Sequence, residues 1–283
     1  MHTAGRMLIV MAVLGLVSPA LADWDPGDPH KMHRAQLPDL EVGLDVLDGL
    51  MMPSGTTPRY AKFLADDFRC SQTGPITDLH IWGSWLGDNH PMIDIPKTFG
   101  VAIFSNVPAD QSPTSYSRPG ERLWSARLQP TERLYADADE AFFDPNLNEI
   151  IGDDTRALQY NFDIPADEAF VQNEGRIYWL GATLLGDFNG DRLVDSTDEA
   201  IWPDLAPFAY GWKTSKDHFQ DDAVWTEIDP YGPHAPAQPE WNRLIDPRTG
   251  EGLDLSFVIT PEPTTLSLMG LAGLMLIRRK RRA

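Results

Sequence analysis

The most constraining feature of this 283-residue chain is a period of two. Leu158, Tyr160, Phe162 and Ile164 alternate with Gln159, Asn161 and Asp163, and Leu253, Leu255, Phe257 and Ile259 repeat the pattern near the C-terminus. Successive side chains of a strand point to opposite faces, so this spacing builds half-buried strands. An amphipathic helix would instead repeat its apolar residues every three or four positions. Residues 76–85, 99–104, 123–128, 176–183, 209–213 and 223–225 read as further strands, bounded by Gly, Pro, Asn and Asp. No long amphipathic helix stands out, which argues against an α/β hydrolase or a barrel with crossover helices. The pattern predicts an all-β fold: a jelly-roll-like β-sandwich forming one domain over residues 23–260, with a short loop–helix insertion at 187–202.

The two ends read as addresses. Residues 1–22 carry one basic residue (Arg6), an apolar stretch over 7–17, and then Pro19-Ala20-Leu21-Ala22. That is the layout of a secretory signal peptide with an A-x-A cleavage site, which leaves Asp23 first and sends the protein out of the cytoplasm. At the other end Pro261-Glu262-Pro263 precedes an apolar run, 264–277, and the basic cluster Arg278-Arg279-Lys280-Arg281-Arg282. As a helix the run is about 21 Å long at ~1.5 Å per residue. The hydrocarbon core is ~30 Å thick, so the span is marginal and needs its arginines to snorkel. The positive charges hold the extreme C-terminus in the cytoplasm while the body stays outside.

These last 23 or so residues resemble the PEP-CTERM sorting tail of bacterial exosortase substrates. The resemblance implies a transient membrane hold and processing near Pro261-Glu262-Pro263 by an exosortase-type enzyme. The alternative is a permanent anchor.

Charge narrows the partners. Setting aside Arg6, the five basic residues of the tail and Glu262, the body carries 17 basic against 41 acidic residues, a net charge of −24. Such a body repels phosphate backbones, so nucleic acid is excluded as a partner. The body has no apolar run long enough to span a bilayer, so contact with membrane falls to the tail alone. With 42% hydrophobic residues and nine Trp it is no disordered segment.

The body carries a second resemblance, through Pro38-Asp39-Leu40, Gly43-Leu44-Asp45-Val46, the segment from Leu64 to Cys70 and the segment from Gly74 to Trp85. Tyr178-Trp179-Leu180, the segment from Gly211 to Ser215 and the segment from Asp221 to Trp225 extend it. It is similar to a secreted bacterial domain of unknown function often joined to such tails, and the likeness implies no particular activity.

The sharpest chemical motif is a twelve-residue loop. Asp187, Asn189, Asp191, Asp195 and Asp198 fall at positions 1, 3, 5, 9 and 12, and Leu193 at position 7 offers its carbonyl. This is the EF-hand spacing, suited to one structural Ca2+ held by six to eight oxygens, with an affinity near the ~10⁻⁴–10⁻³ M of extracellular modules. Asp198 at the last position, after Ser196-Thr197, makes the loop resemble that of a dockerin. Ser196 and Glu199 form a capping box for a short exit helix, which Pro203 ends. Arg192 stands where glycine is usual, at a cost of ~1–2 kcal/mol for a left-handed backbone. Dockerins carry two such loops and this chain has one, which argues against a cohesin partner. The alternative is an acidic turn without metal, although its carboxylates would then repel one another.

The remaining signals are weaker. Trp82, Trp85, Trp212, Trp225 and Trp241 are candidates for stacking on a polysaccharide, or else core aromatics. The pairs Asp66-Asp67, Asp153-Asp154 and Asp221-Asp222 are candidate acid–base couples of a glycosidase, or else solvated surface. His30-Lys31-Met32-His33 lacks a third close metal ligand, and His80 reads as a hydrogen-bonded strand residue. Cys70 is the single cysteine, so no intrachain disulfide forms, and it reads as a small buried hydrophobe.

The expectation is a secreted, acidic, non-catalytic component of the cell envelope or extracellular matrix, structural or adhesive within exopolymer. The alternatives are a carbohydrate-binding module and a glycan-active enzyme.

Overall fold

The computed structural model describes residues 23–51, 60–90, 97–185, 209–228 and 240–261. Fifteen strands appear among them. They are β1 (Leu44–Met51), β2 (Tyr60–Arg69), β3 (Gly74–Pro75), β4 (Asp78–Trp85) and β5 (Phe99–Val107). Next come β6 (Arg118–Leu128), β7 (Thr131–Asp144), β8 (Glu149–Asp163), β9 (Val171–Gln172) and β10 (Ile177–Leu184). The last are β11 (Tyr210–Ser215), β12 (Val224–Ile228), β13 (Asn242–Arg243), β14 (Asp254–Leu255) and β15 (Phe257–Ile259).

The strands form two facing layers. In one, β4 has β8 along one edge and β11 and β15 end to end along the other. In the second the order is β13, β12, β2, β10, β5, β6. Strand β1 belongs to both: Asp45–Asp48 pair with β11, while Gly49, Leu50 and Met51 pair with β2. The strand changes layer at Gly49, whose φ is +80°. A Cβ there would lie 2.7 Å from the Leu184 carbonyl oxygen, so only glycine permits the crossing.

Period-two faces from both layers meet in one apolar core. The first layer supplies Leu79, Ile81, Trp85, Tyr160, Phe162, Tyr210, Trp212, Phe257 and Ile259. The second supplies Leu64, Phe68, Phe99, Val101, Ile103, Tyr178, Leu180 and Leu184. Fully burying each such side chain contributes about 1.5–3 kcal/mol. The all-β sandwich expected from the alternation is the fold. The long strands that alternation did not disclose are β1, β2 and β7, whose inward positions carry Asp45, Asp66 and Glu140, all buried; the two-residue strands β3, β9 and β13 were too short to show a pattern.

The first layer also curls onto itself. From β1 the hydrogen bonds run to β11, then β4, then β8, then β7, and return to β1 through a parallel pairing. Five strands therefore close a ring, and the face of each turned away from the inter-sheet core points inside it. Gly211 belongs to this ring. A Cβ on it would meet the Phe142 ring at 2.6 Å and the Asp45 Cβ at 3.0 Å.

Candidate functional site

Each strand of the ring places one polar side chain in its interior. Lys213 comes from β11, Asp45 from the directly opposite position on β1, Glu140 from β7, Asp154 from β8 and Ser84 from β4. Lys213 Nζ lies 2.7 Å from Asp45 Oδ2 and 3.8 Å from Asp154 Oδ1, and it also contacts Glu140 Oε2. Ser84 Oγ donates to Asp154 Oδ2 at 2.9 Å. None of the four charged side chains is more than 1% exposed.

One ammonium faces three carboxyls, and burial with repulsion between the acids raises the proton affinity of Glu140 and Asp154. Burial, and then the charge of Asp45, pushes Glu140 up to about 7 and Asp154 up to about 9. Burial pulls Lys213 down, but Asp45, Glu140 and Asp154 outweigh it and hold the ammonium above the ordinary lysine value. Asp45 Oδ1, Glu140 Oε1 and Asp154 Oδ1 find no donor. Asp154 adjoins Asp45, so a proton carried by Asp154 lets those two acids meet. Among the described residues no group of three or more His, Cys, Asp or Glu is arranged to hold a metal ion. The cation of this site is Lys213 itself.

A second acidic group surrounds β2. Asp66 faces the inter-sheet core, where it accepts from Gln36 Nε2 at 2.8 Å and from the amides of Leu255 and Asp67 at 2.7 Å each. Asp67 points to the opposite face, is fully buried and finds no donor for either oxygen. Burial, then the charges of Asp254 and Asp221, pushes it up to about 9. The candidate pairs Asp66-Asp67 and Asp153-Asp154 are thus divided by the strand's own alternation. In the second pair Asp154 is buried while Asp153 is exposed. Neither pair presents two carboxyls to one cleft. Asp222 is held by Arg243, whose Nε donates to it at 2.7 Å.

The stacking candidates need correction. Trp82, Trp85, Trp212 and Trp241 are buried, and Trp225 is partly buried against the inter-sheet core. Trp85 and Trp212 spend their indole N–H groups on Tyr160 Oη and the Ser256 carbonyl, both at 2.8 Å. Trp82 meets Trp24 and Tyr135 edge to face at 6.0 and 5.5 Å. Strand alternation turns these rings into one interior or another, so none of the four has a free face for a sugar.

A different surface offers a groove. Val107, Tyr116, Arg118, Arg122 and Glu240 line a cavity of about 940 Å³ beside the rim of Trp241. Tyr116 Oη donates to the Trp241 carbonyl at 2.6 Å, and the Arg243 guanidinium lies 5.9 Å from the Tyr116 ring centre. No motif announces this groove, because its residues come from β5, β6, the loop before β6 and the approach to β13. A smaller cavity of about 450 Å³ lies between Trp85, His90, Glu132 and Leu134. There Glu132 accepts from Lys97 at 3.0 Å and sits 3.2 Å from His90 Nε2.

Other sequence candidates fall into place. His33 stacks on Phe219, with ring centres 3.6 Å apart, and burial followed by Arg34 and Arg69 lowers it to about 4. His30 Nδ1 lies 2.9 Å from the Met32 carbonyl, so the two histidines serve different contacts. His80 is the hydrogen-bonded strand residue expected, with Nδ1 2.7 Å from Asn161 Oδ1. Cys70 is buried, and its thiol donates to the Gln72 carbonyl at 2.9 Å. The loop ligands Asp187, Asn189, Asp191, Leu193, Asp195 and Asp198 lie outside the described residues. So do residues 1–22 and the tail from Glu262 onward.

The fold and the ring define an all-β sandwich with a charged interior. Residues 32–260 match the family described as a domain of unknown function, DUF7901, and the chain belongs to that family. No curated protein and no solved structure matches it.

Proposed function

We propose that the protein is an exported, non-catalytic component of the cell envelope or extracellular matrix, structural or adhesive within exopolymer. In this reading the PEP-CTERM-like tail holds it briefly at the membrane for an exosortase-type enzyme. The observation that carries this reading is that the residues just inside the two signals are tied into the sheets. Asp23, the first residue after the A-x-A site, accepts a hydrogen bond from Asn161 at 3.1 Å. Trp24 is buried, and its carbonyl accepts from Arg133 and Gln159, both at 2.8 Å. At the other end Thr260 closes the sheet through Asp78: its amide donates to the Asp78 carbonyl at 3.2 Å and its hydroxyl to Oδ2 at 2.5 Å. The sorting motif begins one residue later. A domain anchored at these two residues supports reading both flanks as detachable signals.

Fractionation of a cell that makes the protein tests this. The full chain is expected in the envelope or matrix, and a chain ending at Thr260 is expected in the medium. Intact precursor dissolved in the cytosol would overturn the proposal. The same reading retains one structural Ca2+ on the 187–198 loop. EDTA should then lower the melting temperature, and Asp187→Ala should abolish that difference.

The groove favours a second reading, a carbohydrate-binding module. An aromatic edge at Tyr116 supports it, as do guanidinium donors at Arg118 and carboxylate acceptors at Glu240, because sugars offer both apolar faces and hydroxyls. Dose-dependent signals on a glycan array that Tyr116→Ala abolishes would promote it. Binding that survives that change would point elsewhere.

A further inference from the structure

The ring interior brings together an amine, a carboxyl and a proton-transfer group in a space closed to water. Lys213 and Asp45 face each other across antiparallel strands, so main-chain register alone presses Nζ against Oδ2, at 2.7 Å. Glu140 touches the same Nζ from β7. Asp154 adjoins Asp45 from β8, with its Oδ2 occupied by Ser84 and its Oδ1 without a donor. We infer that this is an autocatalytic cross-linking site, in which Lys213 and Asp45 condense to a side-chain amide bond with Glu140 as the catalytic proton carrier.

The step balances without a co-reactant. It begins with Lys213 as ammonium, Asp45 and Glu140 as carboxylates and Asp154 as the neutral acid. Glu140 takes a proton from Nζ, and the freed electron pair attacks Asp45 Cγ. Asp154 passes its proton to the Asp45 oxygen it faces. The N–C bond forms, the C–O bond breaks, and that oxygen leaves as water with a second proton relayed from nitrogen through Glu140. Of the protons on the ammonium and Asp154, one stays on the amide nitrogen and two depart in water. The last remains shared between Glu140 and Asp154, and the net charge is unchanged.

Three features favour the reaction here and oppose it in solution. The reacting groups are held in contact, with Nζ 2.7 Å from Oδ2, which replaces a bimolecular encounter. Exclusion of water removes the solvent excess that drives hydrolysis of an amide. The product also replaces a buried ion pair, costly to desolvate, with a neutral group. The proton affinities of Glu140, up to about 7, and Asp154, up to about 9, suit both to hold and release protons near neutrality. The cross-link joins residues 168 positions apart and ties β1 to β11 within the ring. A chain with a single cysteine cannot make such a staple by disulfide.

Mass spectrometry of the denatured, protease-digested full-length protein decides the matter, because peptide masses are unaffected by processing at either end. The expected result is a branched peptide joining the Asp45 segment to the Lys213 segment, lighter by one water than its two parts. Glu140→Gln should fold, as read by circular dichroism, and lose the branched peptide at least tenfold. Separate, unmodified Asp45 and Lys213 peptides from the wild-type protein would overturn the inference, whatever the variants do. Water loss confined to an Asp45 succinimide, or a link from Lys213 to Glu140, would overturn it equally.

Discussion

Between the two sheets Phe99 sits among the rings of Tyr160, Phe162 and Tyr210, with centres 5.2–5.5 Å apart. Inside the ring Lys213 sits among Asp45, Glu140 and Asp154. Both interiors are dry and both draw on strands of the first layer, and β11 contributes to each, Trp212 to one and Lys213 to the other. Their tolerances differ. An apolar core loses transfer energy and contacts in proportion to the atoms removed, whereas a charged interior depends on every partner remaining in place.

Removing the cation should have the largest effect. Lys213→Ala strands buried carboxyls and also removes the tie to Asp45 wherever the two have condensed, so by the scale for breaking a buried ion pair it should cost at least about 3–5 kcal/mol in denaturant unfolding. A cost below about 1 kcal/mol, the scale of an exposed pair, would mean that water reaches the ring.

The next effect is one of pH. Glu140, Asp154 and Asp67 have folded-state values raised to about 7, 9 and 9, above ordinary carboxyls. The native state therefore binds more protons than the unfolded chain between the ordinary carboxyl range and pH 9, so stability falls as pH rises through that window. His33, lowered to about 4, works the opposite way, but only below its ordinary value of 6.5. Chemical denaturation at pH 7 and pH 9 should show the fall. Asp67→Asn should flatten it and add about 1–3 kcal/mol at the upper end, the scale of a buried polar group left unpaired. A midpoint that rises from pH 7 to pH 9 would contradict the protonated acids.

The smallest change tests the apolar side. Ile81→Val removes one methylene from the inter-sheet core and should cost about 0.5–1.5 kcal/mol, with no change in pH dependence. A steeper pH slope in that variant would show that the two interiors are coupled through β4.

The same contrast explains what could be read in advance. Strands β4, β8, β10 and β15 were legible because their core faces are apolar and alternate. Strands β1, β2 and β7 were hidden because Asp45, Asp66 and Glu140 occupy inward positions, and an isolated acidic residue argues against a strand. Acidic pairs looked like surface or catalysis, yet Asp66 and Asp67 are both interior, one on each face of β2. The Trp residues were legible as aromatics but not as core, since exposure depends on which strand lies opposite.

Residue order alone determined the two-layer, all-β character, because alternation is a local property of the extended chain and persists wherever the strand is placed. Closure of the ring, the meeting of Lys213 with three acids and the groove beside Tyr116 were decided only by the tertiary structure. Residues 45, 140, 154 and 213 share no local pattern, and only strand pairing over long separations brings their charges into one dry space, where each sets the proton affinity of the others.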